Sequence, residues 1–160
     1  SEPVFGGVYK LAQIEKPDGT VIPKMKISEN VEKITNPGFK NVYRFIGKDH
    51  GKALADVITL RSEGKPSEDT YEIFDPNATW KRKTLYDYEV KELLVPIFEK
   101  GKCVYESPSI SEIRDYCKEQ VATLWDESLR FDNPQTYKVD LSQELFDLKL
   151  DLLNKYGHQG

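Results

Sequence analysis

Apolar and polar residues alternate over much of the first 105 residues, a spacing that predicts β-strands. The strands predicted in this way cover residues 8–14, 21–28, 42–46, 53–60, 71–74 and 79–85. Residues 53–60 are almost continuously apolar, which indicates a central strand. Residues 79–85 alternate bulky with basic side chains, which favours an exposed edge strand over a nucleic-acid patch.

Turn-forming residues separate these strands. Residues 16–20 predict a hairpin between the first two strands. Pro37 and Gly38 predict another turn, because Pro fixes φ at one corner and Gly accepts a positive φ at the next. Lys33 and Lys40 flank that turn, and two ammonium groups beside exposed backbone N–H groups would suit a phosphate. The alternative is an ordinary loop with exposed, solvated lysines, which the local sequence alone favours.

The apolar spacing changes after residue 105 to the period of an amphipathic helix. Ser109 and Glu112 form a capping-box pair, so we predict a helix that runs from there to about Leu129. Asp140 and Gln143 resemble a second capping box. We interpret the apolar stripes of the two helices as core, with a partner-binding surface as the less favoured alternative: Ile113, Cys117, Val121, Leu124 and Trp125, then Leu141, Leu145, Leu148, Leu152 and Tyr156. Gly157 is a suitable C-cap for the second helix.

The predicted fold class is therefore α+β, with a β-rich part over residues 1–105 and a helical part over residues 106–160. Pro96 makes residues 86–104 ambiguous, and we interpret them as a hairpin that turns at residues 100–102. A chain of 160 residues, 38% hydrophobic and 31% charged, fits one globular domain. The only methionine is Met25, so we expect the chain to be trimmed or part of something longer.

Composition argues against several classes of partner. The net charge of −4 argues against nucleic acid, and no apolar run approaches the length of a membrane span. Cys103 and Cys117 lack metal-ligand spacing, so we expect reduced, partly buried thiols of a cytosolic protein.

We find no self-sufficient catalytic set in the sequence. His50 lies in a predicted turn and His158 in the tail, and neither has a local partner that would tune it as a base. The sequence has no nucleophile elbow, dinucleotide fingerprint or Walker loop. Basic residues in the β-rich half stand out as candidate anion ligands: Lys10, Lys33, Lys40 and Arg44.

Several segments resemble, in order, the C-terminal third of the nicotinate phosphoribosyltransferase family, in its bacterial form. These segments lie at residues 6–11 (GGVYKL), 26–28, 32–38 (EKITNPG), 42–44, 74–76, 79–84 (TWKRKT), 92–101 (ELLVPIFEKG), 107–109, 112–114 and 133–142. The resemblance therefore covers nearly the whole chain.

The resemblance implies a larger enzyme, with an irregular α/β barrel beside an open-faced α/β sandwich. That enzyme joins nicotinate to phosphoribosyl pyrophosphate in NAD salvage, giving nicotinate mononucleotide and pyrophosphate. The resemblance also implies ATP hydrolysis through a phosphohistidine, Mg²⁺ as cofactor, a cytoplasmic location and a homodimer. The family's catalytic histidine, nicotinate-clamping residues and main glycine-rich phosphate loop all precede the stretch that matches this chain.

We therefore expect a C-terminal segment that is inactive alone, binds no cofactor by itself and has the remainder of the enzyme as its partner. The resemblance makes Lys10, Lys33 and Lys40 candidate phosphate-binding residues and assigns no catalytic or metal-binding residue. The alternative is a stand-alone β-rich binding or interaction module without catalytic activity.

Overall fold

A computed structural model describes residues 6–157, apart from the side chain of Glu32. His158 lies outside these described residues. The chain divides into two compact units. The first runs through Lys40 and resumes at Gln143, and the second comprises Asn41–Ser142.

Strands and helices are both present in the described residues, which confirms the predicted α+β class. The strands are β1 Gln13–Glu15, β2 Val21–Pro23, β3 Lys40–Gly47, β4 Ala53–Leu60, β5 Thr70–Asp75, β6 Ala78–Tyr86, β7 Tyr88–Glu92, β8 Phe98–Glu99, β9 Lys102–Cys103 and β10 Val139–Leu141. The α-helices are α1 Ile110–Ala122, α2 Asp126–Leu129 and α3 Gln143–Tyr156. Short 3₁₀ turns lie at Val31–Lys33 and Arg61–Glu63.

The first unit begins with the predicted hairpin, in which β1 and β2 pair antiparallel. Both strands are shorter than predicted. Residues 6–12 lie in no strand, and Val8 and Tyr9 are 83% and 81% exposed. β2 ends at Pro23, which has no N–H to donate to a neighbouring strand.

The helix of the first unit, α3, begins at Gln143 rather than beside Asp140. The predicted second capping box is wrong, because Asp140 lies within β10. Leu141 is likewise a strand residue and not part of the helical stripe. Within α3, Leu145 is fully buried, which confirms that position as core. Gly157 follows the end of the helix, as expected, and its N–H donates to the Leu153 carbonyl.

A four-stranded sheet in the order β10-β4-β3-β7 organises the second unit. β4 is a central strand, as its apolar run predicted. β3 and β7 pair antiparallel, whereas β10 pairs parallel with β4. One face of this sheet carries Tyr43, Phe45 and Val57 into the core. Phe45 is fully buried, and its ring centroid lies 4.8 Å from the rings of both Tyr71 and Tyr88.

β5 and β6 form a separate antiparallel pair. Ile73 and Leu85 of this pair are buried in the core, while Trp80 is 79% exposed. The prediction of an exposed, charged edge strand is therefore confirmed for residues 80–83, whereas Leu85 at the end of the predicted strand is buried. The hairpin predicted at residues 100–102 is also confirmed, because β8 pairs with β9. The hairpin prediction is wrong for the first part of residues 86–104, because β7 pairs with β3 instead.

The single helix predicted from Ser109 to Leu129 is divided into α1 and α2. The capping box that begins α1 is confirmed, since the Ser109 side chain accepts from the Glu112 N–H and Glu112 accepts from the Ser109 N–H. At the end of α1, Lys52 Nζ donates to the Ala122 and Leu124 carbonyls, at 3.0 and 2.9 Å, which satisfies carbonyls that a helix end leaves unpaired. The Ala53 N–H also donates to the Thr123 carbonyl.

The prediction that the α1 stripe is core is wrong, because no residue of this helix is buried. Cys103 and Cys117 are free thiols but are exposed rather than partly buried. Among the described residues, no helix has the length and apolar character needed to cross a membrane.

Candidate functional site

The turn at Pro37 and Gly38 is a buried structural junction of the first unit. Gly38 has φ of 83°, as the turn prediction requires. Its N–H donates to the Ala12 carbonyl at 2.8 Å, and the Phe39 N–H donates to Gln13 Oε1 at 3.0 Å. The expectation of exposed backbone N–H groups is therefore wrong at these two positions.

Lys40 closes this loop. Its Nζ donates to the carbonyl oxygens of Asn36 at 2.9 Å, Pro37 at 3.3 Å and Gly38 at 2.5 Å. These bonds use all three donors of an ammonium group. Burial lowers the pKa of Lys40. The prediction of an exposed side chain is wrong for Lys40, which is half-buried.

Lys149 of α3 is a second cation at the same loop, and the sequence analysis missed it. Its Nζ donates to Asn36 Oδ1 at 2.9 Å, and burial lowers its pKa. A signal was present, because Lys149 follows Leu145 by one helical turn and so flanks the apolar stripe. The backbone carbonyl of Asn36 thus accepts a hydrogen bond from one lysine, and its side chain accepts one from another.

Lys10 and Lys33, the other two candidate phosphate ligands, are both exposed. Lys10 Nζ donates to the carbonyl of its neighbour Tyr9 at 3.1 Å, and Lys33 ends the 3₁₀ turn Val31–Lys33. In the described part of the chain, neither side chain hydrogen-bonds to the loop that Lys40 closes. The structure therefore places Lys40 on the loop and leaves Lys10 and Lys33 with ammonium donors facing solvent.

We expect Lys40→Met to lower the free energy of unfolding by about 1–2 kcal/mol, because three carbonyls lose a charged donor. Lys33→Met is the matched control, and its effect should stay within about 0.5 kcal/mol, as for other surface substitutions. Urea unfolding monitored by far-ultraviolet circular dichroism measures both values. Equal stability of the two variants would show that Lys40 does not hold the loop.

Arg44 is bound by a carboxylate of the second unit. Its Nε and Nη2 donate to Asp56 Oδ1 and Oδ2, both at 2.8 Å. The Tyr137 hydroxyl donates to Asp56 Oδ1 at 3.0 Å, and the Arg44 guanidinium lies 5.6 Å from the Tyr137 ring centroid. The bond to Asp56 raises the pKa of Arg44, and burial raises the pKa of Tyr137.

This Arg44–Asp56–Tyr137 cluster joins β3, β4 and the segment before β10. It is a structural tie, since the guanidinium proposed as an anion ligand already holds an internal carboxylate. The sequence contained a sign of it, because Asp56 is the only charged residue of the strand Ala53–Leu60. A charged group in a buried strand requires a partner.

His50 is engaged within its own turn. Its Nδ1 accepts from the Lys52 N–H at 3.0 Å, and its Nε2 lies 3.2 Å from Asp49 Oδ1. The ring contacts Trp125 edge-on at a centroid distance of 4.9 Å. His50 therefore has local partners, but these contacts position a turn and involve no nucleophile.

The basic segment of β6 is partly neutralised. Arg82 donates to Glu72 at 2.6 Å, and its guanidinium lies 4.8 Å from the Phe74 ring centroid. Lys81 and Lys83 remain exposed. Across residues 6–157, no group of three or more His, Cys, Asp or Glu side chains could hold a metal ion.

Comparison with known proteins identifies the family to which these elements belong. The sequence model described as the nicotinate phosphoribosyltransferase C-terminal domain matches residues 39–149. The chain belongs to the nicotinate phosphoribosyltransferase family. The match confirms the resemblance found in the sequence, and it does not favour the stand-alone binding module.

Individual nicotinate phosphoribosyltransferases agree with this assignment. The enzyme of Bacillus subtilis (strain 168) is 36% identical over 154 residues, covering 96% of this chain and 31% of the relative. That of Dictyostelium discoideum is 32% identical, covering 92% of this chain and 25% of the relative. The chain thus spans a third or less of the length of these relatives and corresponds to their C-terminal domain.

The fold is also shared with a solved structure. The crystal structure of human nicotinic acid phosphoribosyltransferase matches with a TM-score of 0.64 and 27% identity. The match covers 76% of this chain and 23% of the human chain. Both the sequence and the fold therefore place the chain in one part of a larger family enzyme.

Proposed function

We propose that the chain is the C-terminal domain of an enzyme that joins nicotinate to phosphoribosyl pyrophosphate, releasing nicotinate mononucleotide and pyrophosphate. The observation that carries this proposal is the family match over residues 39–149. The described residues support a scaffolding role, because the charged groups Arg44, Asp56 and Lys40 are directed to partners within the fold. The chemical step belongs to the remainder of the enzyme.

ATP and Mg²⁺ enter this proposal through the family alone. The described residues do not fit a magnesium site of their own, because no three acidic, cysteine or histidine side chains come together among them. The proposal therefore assigns Mg²⁺ and the phosphorylated histidine to the remainder of the enzyme. A cytoplasmic homodimer is the assembly that the family implies, and it is part of the same proposal.

Lys10 and Lys33 suit a phosphate better than Lys40 does. Both are exposed and keep donors in solvent, whereas Lys40 directs three bonds to its own loop. We therefore propose that Lys10 and Lys33 contact phosphate oxygens of ATP or phosphoribosyl pyrophosphate. Lys40 contributes positive charge there and maintains the loop conformation.

In the assembled enzyme, Lys33→Ala should lower kcat/KM for ATP or phosphoribosyl pyrophosphate by about ten- to a hundredfold. The physical reason is the loss of a charge-assisted hydrogen bond to a phosphate oxygen. The KM for nicotinate should not change, because the proposal holds that ring elsewhere. Lys16→Ala, another exposed lysine of the first unit, is the control and should change each constant by less than about twofold. Wild-type kinetics for Lys33→Ala would remove Lys33 from the phosphate site.

The reaction itself is tested with a polypeptide that joins this segment to the part of the enzyme it lacks. Supplied with nicotinate, phosphoribosyl pyrophosphate, ATP and Mg²⁺, it should form nicotinate mononucleotide and pyrophosphate in equal amounts. The control omits nicotinate and should form no mononucleotide. Failure to form the mononucleotide by a folded, full-length enzyme would overturn the proposed function.

A further inference from the structure

One continuous segment of the second unit is exposed throughout. Every residue from Leu94 to Glu119 is exposed, and this stretch contains the hairpin β8–β9 and most of α1. It nevertheless carries many large apolar side chains. The exposed apolar side chains in and beside it, which we call the 94–121 surface, are Leu94, Val95, Ile97, Phe98, Val104, Tyr105, Ile110, Ile113, Tyr116 and Val121.

The exposure of these side chains is large. Phe98 is 69% exposed, Ile110 79% and Ile113 52%. Scattered apolar residues are normal on a protein surface, but a large group on one segment marks an interaction surface. The exposure of the 94–121 surface therefore favours a covering partner in the functional protein.

Helix α1 also lacks buried side chains. Its 13 residues contain none that is buried, and helices of that length are marginal in water without tertiary packing. Contacts with the sheet occur toward its C-terminal end, where Lys91 Nζ lies 3.4 Å from Gln120 Oε1 and 5.1 Å from the Tyr116 ring centroid. The N-terminal half has its capping box, but Ile110 and Ile113 lack packing partners that would bury them.

The chemistry of the surface suits a protein partner. Charged residues of both signs border the apolar side chains, with Glu99 and Lys102 in the hairpin and Arg114 and Asp115 in α1. Such a mixture provides neither the basic field that nucleic acid requires nor the basic polar face of a membrane-surface helix. Exposed apolar side chains with charged residues of both signs beside them fit a protein interface.

The length of the relatives indicates which protein covers this surface. The chain spans only 31% of the Bacillus subtilis enzyme and 23% of the human chain, so most of those polypeptides lies outside the matched region. In an enzyme of that length, the remaining part is covalently tethered to this segment. The tether gives the remaining part a high effective concentration at any complementary surface, an advantage that a second copy does not have.

We propose that the 94–121 surface docks against the N-terminal part of the same enzyme, and that this docking provides the packing that α1 lacks. The inference rests on the proposed function for the identity of that part. It assigns to α1 and the hairpin β8–β9 an interdomain role, whereas the sheet β10-β4-β3-β7 supplies the internal core.

Hydrogen–deuterium exchange of the full-length enzyme tests the docking. Amides of α1 and the hairpin should exchange at least about a hundredfold more slowly than those of the exposed loop at residues 64–69. Exchange as fast as in that loop would show that nothing covers the surface and would overturn the inference.

Paired substitutions test the site of contact. Ile113→Asp should lower the Tm of the full-length enzyme by several degrees and accelerate exchange across residues 94–121. Ser111→Asp adds the same charge on the opposite side of α1 and should change neither. If Ile113→Asp prevents folding, the milder Ile113→Ser should give the same pattern with a smaller Tm shift. Equal behaviour of Ser111→Asp and the Ile113 variants would overturn the inference.

Light scattering of the same variants distinguishes a second copy of the chain from the N-terminal part. We expect the mass of the full-length enzyme to be the same for wild type and Ile113→Asp. A halved mass would identify a second copy as the occupant and overturn the inference.

Turnover separates the two proposals: a full-length enzyme that forms nicotinate mononucleotide while residues 94–121 exchange rapidly contradicts the docking alone. An enzyme with protected residues 94–121 and no product contradicts the proposed function alone.

Discussion

Replacement of Asp56 by alanine should lower the free energy of unfolding by about 3 kcal/mol, the lower end of the range for breaking a buried ion pair. The Arg44 and Asp56 side chains are 18% and 10% exposed. Removal of the carboxylate leaves a guanidinium that water solvates only in part, and Tyr137 also loses its acceptor. Urea unfolding followed by circular dichroism measures the change.

The exposed pair Arg82–Glu72 is the matched control for this prediction. Its side chains are 41% and 52% exposed, so Glu72→Ala should cost less than about 1 kcal/mol. The double variant Arg44→Met, Asp56→Leu should recover much of the loss, because no unpaired charge then remains. A loss of stability for Asp56→Ala no larger than that for Glu72→Ala would show that the buried cluster does not stabilise the sheet.

Phe45→Ala should lower the free energy of unfolding by about 3–5 kcal/mol, because it leaves a cavity in the core. Phe45 is fully buried between the rings of Tyr71 and Tyr88. Ile113→Ala in the 160-residue chain should cost less than about 1 kcal/mol, since Ile113 is 52% exposed there.

Phe45 is packed in the core, whereas Ile113 has the apolar helical spacing of a core residue but is not packed in this chain. Chemical denaturation of both variants gives the two values, and thermal unfolding is an independent check. A large loss for Ile113→Ala in the chain alone would show that α1 belongs to the internal core after all. A small loss for Phe45→Ala would mean that the sheet does not carry the stability of the unit.

Sequence reasoning succeeded where a local pattern determines the structure. The apolar run of Ala53–Leu60 predicted a central strand, because both faces of β4 are covered. The capping box of Ser109 and Glu112 predicted the start of α1, because its hydrogen bonds join residues three positions apart. The turn near Gly19 predicted the first hairpin, because a turn also joins residues that are close together in the sequence.

Sequence reasoning failed where a distant partner decides the structure. Asp140 resembles a helix cap, but parallel pairing with β4 places it within β10. The carbonyls at the end of α1 are bound by Lys52, which is 70 residues away from the Ala122 carbonyl. No local pattern contains either contact.

The candidate site shows the same limit in its lysines. Spacing identified Lys33 and Lys40 as neighbours of a turn but could not show that Lys40 directs its donors inward. Lys149 lies 113 residues from Asn36, so their contact depends on the packing of α3 within its unit. The proposed phosphate contact of Lys33 depends on a ligand and on a part of the enzyme outside the matched region.

Complementation between separate chains tests the central claim most directly. The measurement is the rate of nicotinate mononucleotide formation by the 160-residue chain alone, by the N-terminal part alone and by the two together. We expect no turnover from either part alone and turnover from the mixture, because we propose that the catalytic site lies in the N-terminal part and needs this domain. Turnover by the purified 160-residue chain alone would contradict the account, as would an N-terminal part that is fully active without this domain.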